Sequence, residues 1–173
     1  MLSSLFCALI TVGAYTKIPF YVPVTLQLLF VNTAALLLKR KWGFITALSY
    51  IALGVIGLPV FSFGGGFGCF LSLSFGFTLG FVPGAFLAGW ISEKHTDTKG
   101  AVVASLVNVL CVYLCGTVYF LMIKNFYFSE PSSLSYALSV CVLPFVLPDI
   151  VKISISILLY KKLKRHIKNK KPI

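Results

Sequence analysis

Asp149 and Lys152 are the only charged residues in the most apolar stretch of this chain, residues 135–160. A carboxylate only accepts hydrogen bonds and an ammonium only donates them, so together they offer both polarities to one ligand. A spacing of three puts both on one face of a helix. The stretch is long enough to cross a bilayer, for which a helix needs about 17–25 residues. Ionisable groups at that depth are costly and mark ligand or ion paths. Two readings stand: the pair grips a ligand, or it neutralises itself and locks helices together. Catalysis is not supported. His95 and His166 lie outside the apolar segments, and Asp149 is the sole carboxylate within one. Neither a Ser–His dyad, nor paired carboxylates, nor a metal cluster can be built from these residues. There is no Gly-Lys-Ser/Thr phosphate loop and no repeated charged ring of a channel. The expectation is a binding protein, not an enzyme, with no cofactor or metal.

The pair needs a helix to hold it. Pro144 and Pro148 precede it, and each removes a backbone N–H from the helical ladder. The sequence therefore predicts a bend beside Asp149. Counted from Lys161, Asp149 lies roughly 18 Å into the segment, near the bilayer midplane. Broken helices with polar groups at mid-depth are a transporter binding device.

Other residues with usable chemistry lie at the same end. Lys17-Ile-Pro-Phe-Tyr-Val-Pro23 leads into Thr25 and Gln27, and its two prolines deny it a regular helix. Residues 57–68 interleave Phe61, Phe63 and Phe67 with Gly64, Gly65, Gly66 and Gly68, and carry no charge. Such a run reads either as a lid whose backbone amides approach a ligand or as a loop dipping into headgroups. Ser74 and Thr78 present hydroxyls at the start of the next segment, for ligand contact or for helix packing. Gly76, Gly80 and Gly84 form a small-residue ladder that reads as helix packing. Ser4, Cys7, Ala8 and Thr11 make small-residue steps that suit packing within the bundle or against another membrane subunit. The five cysteines read as small apolar packing residues.

The chain of 173 residues is 58% hydrophobic and 11% charged, against roughly 25% charged in soluble domains. This composition predicts a single multi-pass membrane domain. Apolar segments fall at 2–16, 24–38, 42–58, 71–91, 101–123 and 135–160, followed by a basic tail at 161–173. With the N-terminus in the cytoplasm, the inner side holds Lys39, Arg40, Lys41, Lys94, Lys99 and the seven basic residues of the tail, while the outer loops hold only Lys17 and Lys124. That asymmetry satisfies the positive-inside rule with both termini cytoplasmic. The net charge of +11 is thereby assigned to topology and to anionic lipid, not to nucleic acid. No cleavable signal is expected at the N-terminus.

Four stretches resemble the BioY family, the biotin-specific substrate-capture (S) components of energy-coupling-factor (ECF) transporters. They are Lys17-Ile-Pro through Val22-Pro-Val-Thr-Leu-Gln27, Leu53-Gly-Val-Ile-Gly-Leu-Pro-Val-Phe61 with its glycine run, Gly76-Phe-Thr-Leu-Gly-Phe81, and Leu147-Pro-Asp-Ile-Val-Lys152. The resemblance implies an all-α six-transmembrane-helix bundle in the plasma membrane with both termini cytoplasmic. It implies a biotin site open to the outside. The implied partners are a transmembrane coupling subunit touching Ser4, Cys7, Ala8 and Thr11, and cytoplasmic ATPases, or a homo-oligomer if the protein is solitary. Departures exist: Ser72-Leu-Ser-Phe-Gly-Phe77 stands where the family commonly has Gly-Pro-Thr-Gly-Gly-Tyr, and no arginine lies between Trp42 and Tyr160. For biotin, Asp149 would accept from a ureido N–H, and Lys152 would donate to the ureido carbonyl or the tail carboxylate. Thr25, Gln27, Ser74, Thr78 and the amides of Gly65 and Gly66 would give neutral contacts. Competing expectations are an S-component for riboflavin or thiamine, and a structural membrane protein whose ion pair only locks helices.

Overall fold

The computed structural model describes residues 1–18, 22–129 and 132–169, with 166–169 described by backbone alone. The elements run α1 (Leu2–Tyr15), β1 (Lys17–Ile18), β2 (Val24–Thr25), α2 (Gln27–Ile56), a 3-10 turn (Phe67–Leu71), α3 (Phe75–Lys94), α4 (Thr98–Met122), a π-helical turn (Ile123–Tyr127), α5 (Leu134–Cys141) and α6 (Leu143–Asn169). Among the described residues, three helical stretches are long and apolar enough to cross a membrane: Phe75–Lys94, Thr98–Tyr127 and Leu134–Arg165. Pro19, Phe20, Tyr21, Glu130 and the tail residues from Lys170 onward, all placed in loops or the tail by the sequence, lie outside the described residues.

The expected segments 24–38 and 42–58 both fall within α2, which is folded back on itself. Lys39 sits at φ 67°, ψ −173° inside it, a backbone region that is nearly glycine-only. The Gln27 side chain donates to the Tyr50 hydroxyl across 23 positions of sequence, which a straight helix would hold about 34 Å apart. Gly43 packs so closely on Ala35 that a Cβ would lie 3.1 Å from the Ala35 Cα. The fold-back is pinned from α3: Lys39 Nζ donates to the Ser92 carbonyl at 2.6 Å and to Ser92 Oγ at 3.0 Å. The Arg40 amide donates to Glu93 Oε1 at 3.0 Å.

Glycines set the α3–α4 distance. A Cβ on Gly76 would meet the Tyr119 Cβ at 2.2 Å, and one on Gly80 would meet the Val112 Cα at 2.7 Å. The ladder is therefore a backbone-to-backbone seam. α3 begins at Phe75, four residues later than expected, because the 3-10 turn occupies Phe67–Leu71.

Of the two prolines, Pro144 marks the interruption. Pro148 lies inside α6, and the helical axis breaks at Val142, between α5 and α6. Proline disfavours helical geometry in the residue before it, so the interruption forms upstream of Pro144, in the first turn of α6, where a missing N–H costs nothing.

A polar layer crosses the middle of the bundle. Asn32 donates to Ser105 Oγ at 2.8 Å and to Ser156 Oγ at 3.0 Å, while Asn108 donates to Asn32 Oδ1 at 3.1 Å. Thr33 also reaches Ser156 Oγ at 3.0 Å. These bonds tie α2, α4 and α6 together, and all five side chains are buried.

Candidate ligand-binding site

One turn beyond that polar layer a cavity opens between α2, α3, α4 and α6. Its polar floor comes from α6. Lys152 Nζ donates to Asp149 Oδ1 at 2.7 Å, and both side chains are about 95% buried. From α4, the Tyr113 hydroxyl donates to Asp149 Oδ2 at 2.6 Å. Each carboxylate oxygen thus holds one protein donor and keeps a lone pair for another. The rest of the lining is apolar: Phe77 and Phe145 stack with ring centroids 6.0 Å apart, and Val22, Phe63, Phe81 and Val112 complete the wall. The interior volume is about 50 Å³, room for a few waters. Small-molecule pockets run to about 300–1,000 Å³. A ligand must displace side chains or loops to enter.

The expected contact residues divide cleanly. Thr25, Gln27, Ser74 and Thr78 line the cavity together with Asp149 and Lys152. Thr25 arrives on a short antiparallel pairing of β1 and β2, opposite Lys17, and Gln27 opens α2 two residues later. They are also structural: Thr25 Oγ1 donates to Gln27 Oε1 at 2.9 Å, Gln27 donates to Tyr50, and Tyr50 donates to the Val60 carbonyl at 2.8 Å. Gly65 and Gly66 do not reach the cavity. The Gly66 amide donates to the Gly54 carbonyl at 2.7 Å, and a Cβ on Gly65 would strike the Leu58 carbonyl. Those glycines close the loop onto the end of α2. Their neighbours Ser62 and Phe63 are what the loop delivers to the cavity. The loop is held down by Lys17 Nζ donating to the Ser62 carbonyl at 3.0 Å, by Tyr15 donating to Pro59, and by Tyr119 donating to the Phe70 carbonyl at 2.5 Å.

Tyr113, Phe77 and Phe145 were not anticipated. Tyr113 is a polar tip in an apolar span, and a buried tyrosine hydroxyl needs a partner. That signal was present in the sequence, but the pairing with a residue 36 positions away was not.

On the opposite face of the fold, Ser4, Ala8 and Thr11 line an open groove of about 480 Å³ with Ser49 and Leu53. Cys7 is buried beneath it, its thiol donating to the Thr46 carbonyl at 3.4 Å. Among the described residues no group of histidine, cysteine and carboxylate side chains is placed to hold a metal ion.

The sequence from residue 1 to 169 matches the BioY family. The chain belongs to the BioY family. A biotin transporter BioY of Thermotoga maritima is 34% identical over 165 residues, covering 94% of each chain. A biotin transporter BioY of Rhodobacter capsulatus is 36% identical over 166 residues, covering 90% of this chain and 87% of that one. Among solved structures, the S-component for biotin from an ECF-type ABC transporter superposes with a TM-score of 0.82 at 27% identity, covering 95% of this chain and 89% of that one. This BioY-family chain is a membrane transport component and shares the S-component fold.

Proposed function

We propose that this chain captures biotin from outside the cell and delivers it inward as the S-component of an uptake system. One observation carries the reading: an apolar cavity whose only charged lining groups among the described residues are Asp149 and Lys152, joined by the Tyr113 hydroxyl. Biotin has a matching layout, with a ureido ring of two N–H donors and one carbonyl, an apolar bicycle and chain, and a carboxylate tail. Asp149 accepts from a ureido N–H with a lone pair that Lys152 and Tyr113 leave open. Lys152 turns to the ureido carbonyl or to the carboxylate, and Ser74, Thr78, Thr25 and Gln27 supply neutral contacts. Phe77 and Phe145 take the ring between them or against one face.

Six membrane crossings fit this chain if the two arms of α2 are separate crossings joined at Lys39, with α5 and α6 making the last. The basic residues at the fold-back and after α6 then face the cytoplasm with both termini. The groove at Ser4, Ala8 and Thr11 suits a coupling subunit that works with cytoplasmic ATPases, and a solitary protein would use a second copy instead. Delivery needs the loop over the cavity to open on one side and the bundle to yield on the other.

The test is direct. Protein purified without added ligand is denatured and the released small molecules are read by mass spectrometry. Biotin at near one equivalent is the expected result. Riboflavin or thiamine would move the substrate assignment. Purified protein with no bound vitamin and no calorimetric response to biotin would overturn the reading.

A further inference from the structure

An anionic ligand in the cavity leaves one charge unbalanced. Lys152 and Asp149 neutralise each other at 2.7 Å, and the Tyr113 hydroxyl takes the second carboxylate oxygen. The floor is therefore net neutral. Biotin carries one negative charge at neutral pH, on its carboxylate tail. With the ureido ring on the floor, that tail runs toward the loop segments that line the cavity through Val22, Pro23, Thr25, Ser62 and Phe63. Those residues bring no charge, and a carboxylate leaving water calls for a cation or donors within reach.

Lys17 stands at that rim on two independent observations. It is the direct cross-strand partner of Thr25, and opposed residues put their side chains on one face of the ladder, with Cβ atoms about 4.5–5.5 Å apart. Thr25 lines the cavity. The Lys17 Nζ also donates to the Ser62 carbonyl at 3.0 Å, and Ser62 lines the cavity from the loop. Lys17 thus joins the two segments that cover the cavity. It is exposed, and an ammonium has three protons, so the Ser62 bond leaves two for a ligand. No carboxylate among the described residues neutralises it: Glu93 holds the Arg40 amide, Asp97 caps α4, and Asp149 is engaged in the floor. Lys124, the other lysine of the outer loops, is buried against the Tyr136 ring at 4.6 Å from its centroid and lies outside the cavity lining. We propose that Lys17 receives the carboxylate of the ligand and so sets a preference for an acid over its uncharged analogues. The proposal rests on the biotin reading above and narrows it: with the tail on Lys17, Lys152 is left for the ureido carbonyl.

Full-length protein in detergent is titrated by calorimetry with biotin and with biotinamide, whose tail is an uncharged amide of nearly the same shape. The wild type is expected to bind biotin about ten-fold more tightly than biotinamide. Lys17→Gln brings the two ligands within about two-fold of each other by weakening biotin alone. Lys17→Arg keeps a cation at the rim and keeps the preference. Added salt narrows the preference in the wild type and has no such effect on Lys17→Gln. Biotinamide is the internal control, because an effect that passes only through the Ser62 fastening of the loop weakens both ligands alike. Equal losses for the two ligands therefore reduce Lys17 to a fastening of the loop and overturn the proposal. An undiminished preference in Lys17→Gln overturns it as well, with the carboxylate held elsewhere and biotin capture left standing. A wild type that binds both ligands equally does the same. A wild type that binds neither overturns the function proposed above, and this assignment with it.

Discussion

At the scale of single residues, the question is whether Asp149 and Lys152 grip a ligand or lock a helix, and variants of the two separate the readings. The pair itself lies within one helix at i, i+3, and its link to another helix is the Tyr113 hydroxyl of α4 on Asp149. It neutralises a charge that α6 itself brings into the interior. Removing one partner strands the other, a cost of about 3–5 kcal/mol, whereas removing both leaves no buried charge. Lys152→Met therefore lowers the unfolding temperature sharply, and Asp149→Asn/Lys152→Met recovers most of it while biotin binding stays lost. Thermal unfolding and calorimetry on the three proteins check this. Biotin affinity unchanged in both Asp149→Asn and Lys152→Ala would remove the pair from the ligand site. Tyr113 adds a bond to a carboxylate, worth about 1.5–3 kcal/mol. Tyr113→Phe is expected to weaken biotin by about ten-fold or more through a misplaced Asp149, with little change in the fold.

At the scale of elements, the seam between α3 and α4 carries the wall of the cavity, because Phe77, Thr78 and Phe81 hang from one side of it and Val112 and Tyr113 from the other. Gly80 stands where a Cβ would meet the Val112 Cα at 2.7 Å, and Gly68 stands in open space. A backbone cannot step aside as a side-chain tip can. Gly80→Ala should cost about 1–3 kcal/mol by overpacking, and Gly68→Ala should be neutral, both read from unfolding temperature. This seam was legible in the sequence as a four-residue ladder of glycines. The fold-back in α2 was legible only as two short apolar segments around Lys39-Arg40-Lys41, since charges say where a chain leaves an apolar layer but not how tightly it turns. The break before α6 was legible at Pro144, which disturbs the turn before it, while α6 continues through Pro148.

At the scale of the whole molecule, side-chain types in the site were readable and their convergence was not. Asp149, Lys152, Ser74, Thr78, Thr25 and Gln27 could be named from chemistry and line the cavity, Tyr113 needed the fold, and Gly65 and Gly66 lie outside the cavity lining, in the loop above it. The assembled cavity is too tight, at about 50 Å³, for a body the size of biotin. Entry therefore requires motion, and the loop 57–74 is the segment poised to give it: side chains of Tyr15, Lys17, Tyr50 and Tyr119 fasten it, and its Gly66 amide bonds the end of α2. The bundle beneath it yields less readily than the loop, because the layer of Asn32, Ser105, Asn108 and Ser156 joins three helices directly under the cavity. Tyr119→Phe unfastens one point of the loop without touching the lining. It should speed both association and release of biotin while changing affinity by less than either rate, as expected when a mutation lowers the barrier between two end states it does not distinguish. Stopped-flow binding on the full chain reads this. If the rates are unchanged, the loop is not what opens, and entry must run between helices. If the loop does open, hydrogen–deuterium exchange in the free protein shows protection falling in residues 57–74 before the helices, because irregular segments open at lower free energy than packed helices.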